Sequence, residues 1–290
     1  MNKILIFGVG LIGGSIALSA KKSGLASDIV GVGRNQDNLK DAIKLKLIDR
    51  TSQDLKKDIA EAHIIIIATP VAQFPSILNT IKPHLSSQTI ITDVGSTKTD
   101  VIESAKQILG SHYSQFIGGH PIAGSEKHGA VAAHIDLFKN KNVILTPDQE
   151  TSLEAKEKIG TLWKNAGAIV SNMSHSDHDK IFSTISHLPH LLAFSLVDMI
   201  TQRTNANELL KFAASGFKDF TRIAASSPEM WKDITLANKK FILEDIKHFE
   251  NQIKLLKEAI EHEDAKKIRS EEHTSELQSH SDLVCRLLLE

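Results

Sequence analysis

The first twenty-two residues narrow the possible fold more than any other stretch. In KILIFGVGLIGGSIALSAKK an apolar segment, Lys3 to Phe7, runs into a glycine-rich turn and then into a helical stretch from Leu11 to Lys22. Gly8, Gly10 and Gly13 match the spacing G-x-G-x-x-G between strand and helix. A helix that starts on such a turn points free N–H groups and the positive end of its dipole at whatever lies before it, which suits a phosphate. Gly8, Gly10, Leu11, Ile12 and Gly13 are therefore expected to cradle the pyrophosphate of a dinucleotide. Lys3 before an apolar run and ALSA at residues 17–20 also resemble a signal peptide, but four glycines interrupt that run at spacings that serve the turn.

The alternation continues downstream. DIVGVG (Asp28 to Gly33), HIIIIATP (His63 to Pro70) and TIITDVG (Thr89 to Gly95) read as strands, with helices over QDNLKDAIKL and VAQFPSILNTI between them. Unbroken Ile/Val runs are what strands buried on both faces of a parallel sheet require. QFIGG, NVILTP and AIVSNM add three short strands. This predicts an α/β, Rossmann-type, doubly wound parallel sheet over residues 1–172. In such a fold an acidic residue about 20 residues past the glycines binds the ribose 2′-hydroxyl of NAD. Here Gly33, Arg34 and Asn35 stand at that point, with no Asp or Glu. Arg34 and Asn35 suit a 2′-phosphate, so within NAD(P) the expectation favours NADP over NAD. Thr69 and Pro70, closing another strand, complete the expected cofactor contacts.

After Met173 the β-branched runs give way to long helical periods. PHLLAFSLVDMITQ is apolar around most of its circumference, as in a helix buried in a bundle or against a second subunit. From Pro228 to Lys267, Phe241, Ile242, Ile246, Phe249, Ile253, Leu256 and Ile260 recur at helical spacing. An all-helical substrate and dimerisation domain is expected over residues 173–268, giving a homodimer. Residues 269–290 lack either period and resemble a translated sequencing adapter, so a non-native tail is expected there. That tail holds two of the 34 Lys and Arg, five of the 35 Asp and Glu, and Cys285, so residues 1–268 carry a net +2 and no cysteine.

With 41% hydrophobic and 24% charged residues and a net charge of −1, the chain lacks the basic runs of a nucleic-acid or membrane-surface binder. No segment reaches the roughly 18 apolar residues of a membrane span. Small-molecule chemistry in the cytoplasm is the expectation.

Three segments carry that chemistry: TDVGSTKTD, FIGGHPIAGSEKHG, and SHSDHDKIFSTISHLPHLLAF with SGFKDFTRIAASSPEMW downstream. The first two follow parallel strands, and ligands in open α/β sheets bind beyond the carboxyl ends of strands. Ser96 and Lys98 are thus expected near the reactive end of the cofactor. His120 is expected in the same crevice, with Gly118 and Gly119 allowing close approach. An imidazole beside a nicotinamide can take a hydroxyl proton as hydride leaves the same carbon. Ser96 is placed to orient it.

GGHPIAGSEK, DVGSTK, HDKIFSTISHLPH and GFKDFTRIA, in this order, resemble the prephenate dehydrogenase family of tyrosine biosynthesis, which includes arogenate and cyclohexadienyl dehydrogenases. The resemblance implies oxidative decarboxylation of prephenate to 4-hydroxyphenylpyruvate, with arogenate as the alternative substrate. It implies His120 as the catalytic histidine and Ser96 as its support. Glu126 would lie at the site entrance, His178 and His190 would line the substrate pocket, and Arg222 would clamp a carboxylate beside Trp231. A bidentate guanidinium suits a dicarboxylate substrate. Tyrosine, shaped like the substrate, would compete as an inhibitor.

Other readings stay open. His175, His178, His187 and His190 form two H-x-x-H pairs, yet Pro189 interrupts the second and the aromatising reaction needs no Lewis acid, so no metal is expected. A β-hydroxyacid dehydrogenase would use a lysine of the helical half, Lys180 or Lys218. A non-catalytic NADP-sensing protein would have no use for His120, Ser96 and Arg222 together.

Overall fold

The structure, a computed structural model, describes residues 3–125 and 127–269. Glu126 and almost all of the 269–290 tail lie outside the described residues. The chain divides into two compact units, Met1–Phe241 and Ile242–Glu290.

The first unit is built on an eight-stranded sheet. Its strands are β1 (Lys3–Phe7), β2 (Asp28–Val32), β3 (Arg50–Thr51), β4 (Ile64–Ile67), β5 (Ile90–Asp93), β6 (Phe116–Pro121), β7 (Asn142–Thr146) and β8 (Ile169–Asn172). Their spatial order is β3-β2-β1-β4-β5-β6-β7-β8. The first six run parallel, which is the doubly wound 3-2-1-4-5-6 arrangement, with its switch point between β1 and β4. The last two depart from the all-parallel expectation. β7 pairs antiparallel with β6, His120 opposite Ile144, and β8 runs parallel to β7. The helices between strands are α1 (Leu11–Lys22), α2 (Gln36–Lys44), α3 (Leu55–Glu61), α4 (Phe74–Ile81), α5 (Thr99–Leu109) and α6 (Leu153–Asn165).

The isoleucine runs behave as strands buried on both faces. Ile4, Ile6, Ile64 and Ile66 point into one core cluster, packed with Ile16 and Trp163. Leu5, Phe7, Ile65 and Ile67 point into the other, with Leu78 and Phe116. A side-chain period of two sends neighbours to opposite faces, and helices cover both. The sequence reading passed over β3 and α3. Their signal is local: a two-residue strand has no period, and α3 is announced mainly by Asp54, whose carboxylate accepts from Lys57 N at its amino end.

Beyond β8 the first unit is helical: α7 (His175–Phe182), α8 (Leu188–Thr201), α9 (Ala206–Lys211), α10 (Ser215–Thr221) and α11 (Pro228–Ala237). A single π-helical turn, Ser183–His187, joins α7 to α8. Pro189 has no N–H and sits in the first turn of α8, where that lack is tolerated. The amphipathic run expected from Pro228 onward is not continuous. It breaks at Asn238, after which α12 (Lys239–Glu261) begins, and α13 (Ala265–Arg269) follows. In the second unit Leu243, Ile253, Leu255, Leu256 and Ile260 are exposed. No helix among the described residues is long and apolar enough to cross a membrane.

Candidate active site

The glycines of the first turn have separate reasons. Gly8 takes φ +92°, and a Cβ there would lie 2.4 Å from the Ala68 carbonyl oxygen at the end of β4. A Cβ on Gly13 would meet the Gly8 carbonyl oxygen at 2.1 Å, so this glycine lets α1 sit on the turn. A Cβ on Gly10 would meet nothing within 4 Å. Gly10 begins α1 without a capping side chain, and no acidic residue stands in the first turn. Beside Gly8, Thr69 Oγ1 is buried with no hydrogen-bond partner among the described residues. An open cradle, an uncapped helix start and an orphaned hydroxyl fit a dinucleotide phosphate bridge.

At the end of β2, Arg34 is exposed with no ion-pair partner among the described residues. Asn35 proves to be the cap of α2, its Oδ1 accepting from Asn38 N at 3.0 Å. That oxygen caps the helix, and the Nδ2 donors are the atoms that could meet a phosphate. Asn38, unnoticed in the sequence, donates to the Val9 carbonyl at 2.7 Å and accepts from Ala130 N at 2.7 Å. It ties the glycine turn to the loop that follows β6.

The ends of β5 and β6 meet over a buried ion pair. Asp93 and Lys98, both essentially without exposure, lie 2.5 Å apart, and Asp93 also accepts from Gly95 N and Gly119 N. Lys98 also donates to the Thr97 carbonyl, 2.8 Å away. Its ammonium is thus held inside the protein, where a charge taken out of water needs partners, close enough for its charge to act on His120. Gly118 and Gly119 serve this packing. A Cβ on the first would lie 2.4 Å from Thr146 Oγ1, and one on the second 2.9 Å from the Asp93 carbonyl oxygen.

His120 stands near the carboxyl end of β6 and is half-buried. Nδ1 lies 2.8 Å from His178 Nε2, and Phe182 packs edge-on at 4.9 Å. Among the described residues, Nε2 has no hydrogen-bond partner. Burial, together with the nearby His178, Lys98 and His187, holds this imidazole well below its ordinary range, so the ring is neutral. Ser96 makes no hydrogen bond to it. The expected support is supplied by His178, because α7 brings a longer side chain to the Nδ1 side of the ring, while Ser96 turns its carbonyl toward His187.

His178 is a correction of a different kind. It is wholly buried, with Nε2 on His120 and Nδ1 2.8 Å from Asp179 Oδ1, so neither nitrogen is free for a substrate. His187 is buried too. Its Nδ1 lies 2.9 Å from Asn238 Nδ2, and its Nε2 faces the Ser96 carbonyl without completing a hydrogen bond. Burial lowers its pKa to about 4. His175 lies 3.3 Å from Thr99 Oγ1. The four histidines thus go to different partners, and among the described residues no three His, Cys, Asp or Glu side chains gather as a metal site.

On the helical side His190 stacks on Trp231 at 3.8 Å and donates from Nδ1 to the Ser186 carbonyl at 2.8 Å, and Nε2 has no partner among the described residues. Burial and the charge of Arg222 lower its pKa. Arg222 is exposed and has no ion-pair partner among the described residues, Asp219 included. An unpaired guanidinium beside a neutral imidazole and an indole can hold a carboxylate attached to an apolar body. Lys180 and Lys218 are both exposed. Glu126 lies outside the described residues. Missed in the sequence were Asp93, Asn38, Asp179, Phe182 and Asn238. Asp179 alone had a signal there, as the acid directly after a singled-out histidine.

Comparison with known proteins agrees with this geometry. The family model described as prephenate dehydrogenase, nucleotide-binding domain, matches residues 16–172, and that for the prephenate dehydrogenase dimerization domain matches residues 174–271. A prephenate dehydrogenase of Bacillus subtilis is 43% identical over 92% of this chain and 72% of its own length. A cyclohexadienyl dehydrogenase of Zymomonas mobilis is 33% identical over 90% and 89%. The crystal structure of prephenate dehydrogenase from A. aeolicus, in complex with hydroxyphenyl propionate and NAD+, superposes with a TM-score of 0.89 at 36% identity, covering 97% of this chain and 98% of that one. With two family domains in order over most of its length, the chain belongs to the prephenate dehydrogenase family.

Proposed function

We propose that the chain is an NAD(P)-dependent dehydrogenase that converts prephenate to 4-hydroxyphenylpyruvate by oxidative decarboxylation. The observation that carries this is a neutral His120 whose Nδ1 is held and whose Nε2 is open, at the same sheet edge as the Gly10 cradle. The dinucleotide would lie along Gly8 to Gly13, Thr69 and Pro70, and when bound it supplies the hydride acceptor. His120 Nε2 takes the proton of the ring hydroxyl as hydride leaves that carbon. Loss of the ring carboxylate as carbon dioxide then yields a phenolate, which can take the proton back. Arg222 and His190 hold the substrate's carboxylate end against Trp231.

Cofactor reduction with prephenate, arogenate and simple hydroxyacids tests the reading. Turnover with prephenate is expected, and His120→Asn is expected to lower kcat by about 10²- to 10⁴-fold, the range of a general base. No reduction with either cyclohexadiene would overturn it. Arogenate is the second substrate to try, because a cyclohexadienyl dehydrogenase is among the relatives.

Arg34 supports a preference for NADP. Arg34→Ala is expected to raise the NADP KM by about tenfold, a lost charge-assisted contact, and to leave that for NAD unchanged. Wild-type preference for NAD would reverse this assignment. Residues 173–268 form the substrate and dimerisation part, and the enzyme is a cytoplasmic homodimer. Tyrosine competes for His190 and Arg222, so added tyrosine should raise the apparent KM for prephenate, and no effect at millimolar tyrosine would remove that role.

A further inference from the structure

Three N–H groups converge on one buried carboxylate that the reaction does not touch. Asp179 Oδ1 accepts from Lys98 N at 2.8 Å and lies 2.8 Å from His178 Nδ1, while Oδ2 accepts from Thr99 N at 2.7 Å. The Asp179 carbonyl oxygen accepts from Asn238 Nδ2 at 2.8 Å, so its main chain is anchored as well. Asp179 is 1% exposed and His178 has no exposure, so water does not compete for these bonds.

We propose that Asp179 is a positioning residue that sets the tautomer of His120 through His178. Direction follows from what each atom can do. An ionised carboxylate only accepts, so the proton between Asp179 and His178 sits on His178 Nδ1. A neutral His178 then has a bare Nε2, which must accept from His120 Nδ1. His120 in turn has a bare Nε2, and that is the nitrogen open to the substrate. One buried charge two residues away thereby leaves the base able to take a proton. Hydrogen bonds from His178 and Thr99 outweigh burial and keep Asp179 ionised below the usual carboxylate range, and burial keeps His178 neutral. The charged and titratable groups acting on His120 are His178, Lys98 and His187. The same two oxygens cap the first N–H groups of α5, so orientation of the base is tied to the docking of α7 on that helix.

The proposal rests on the reaction assigned above, and its test separates the two. In the full chain labelled with ¹⁵N-histidine, long-range ¹H–¹⁵N spectra at neutral pH should show Nδ1 protonated and Nε2 bare for both His120 and His178. Asp179→Asn replaces an acceptor with a donor that must face either Thr99 N–H or the Lys98 and His178 pair, so the pattern at His120 should be lost. Its kcat should fall by about 10²- to 10⁴-fold, as when a tautomer-setting acid is lost elsewhere, with KM within about threefold. In a His120→Asn background the same change should cost less than about threefold, since residues acting as a unit are not additive. A wild-type His120 protonated at Nε2, or an undiminished Asp179→Asn effect without His120, would overturn the proposal. If Asp179→Asn does not fold, the wild-type spectrum still decides. A wild type that oxidises neither cyclohexadiene would refute the reaction, and the spectra, which need no turnover, would still decide the tautomer.

Discussion

His120 owes its neutral state to surroundings that no neighbour in sequence supplies. An exposed histidine would be half-protonated near pH 6.5, whereas burial and nearby charge keep this one neutral well below that. As the proposed base, His120 must be unprotonated to work, so kcat/KM is expected to rise with pH along a limb whose midpoint lies below 6.5. A midpoint at or above 6.5 in the pH profile would contradict this. The same histidines have a cost in acid. His120, His178, His187 and His190 all have lowered folded-state values, so the unfolded chain binds protons first as the pH falls through about 6.5. Stability present above that pH is lost as the pH falls through their lowered values, and His187, lowered to about 4, alone accounts for roughly 3 kcal/mol of the loss. Urea unfolding at pH 7.5, 6 and 5 should show midpoints falling already in the first step.

At the scale of the strand–turn–helix element, one motif contains two kinds of glycine. Gly8 and Gly13 are required by packing, since a Cβ at either would overlap a carbonyl oxygen at 2.4 or 2.1 Å. Among the described residues nothing requires Gly10. Gly8→Ala and Gly13→Ala are therefore expected to lower stability by about 2 kcal/mol or more. Gly10→Ala should change stability by less than about 1 kcal/mol and raise the cofactor KM by about tenfold or more. Chemical denaturation and initial-rate kinetics on the three variants separate the roles. Equal destabilisation by all three would mean that the open space at Gly10 is not a binding cradle.

For the molecule as a whole, the single chain leaves much apolar surface uncovered. Phe212 is 80% exposed and Leu236 67%, and within the second unit Ile253, Leu256 and Ile260 lie exposed along one helical stripe. Scattered apolar residues are ordinary on a surface, but a stripe at helical spacing calls for a partner. Light scattering after size exclusion at micromolar concentration should give twice the chain mass of 31.8 kDa. A monomer there would count against the homodimer. Replacing Ile253 and Leu256 by Glu should shift the protein toward monomer, with the sheet intact by circular dichroism.

Strands and their burial were legible from residue order because period and glycine spacing are local properties of a chain. β1, β4 and β5 fell within the expected stretches, and α1 ran from Leu11 to Lys22 as expected. His120 stood out for the same reason, from the glycines and proline around it. What folding alone decided is which groups meet across long separations. His178 reaches His120 across 58 residues and Asp179 caps a helix 80 residues earlier, while Ser96 and Lys98, nearer in sequence, turn elsewhere. A hydrogen bond depends on distance and angle in space, and a tautomer depends on the whole chain of such bonds. Residue order singles out His120 as the proposed base; the packing of α7 against α5 and β6 determines which of its nitrogens is held.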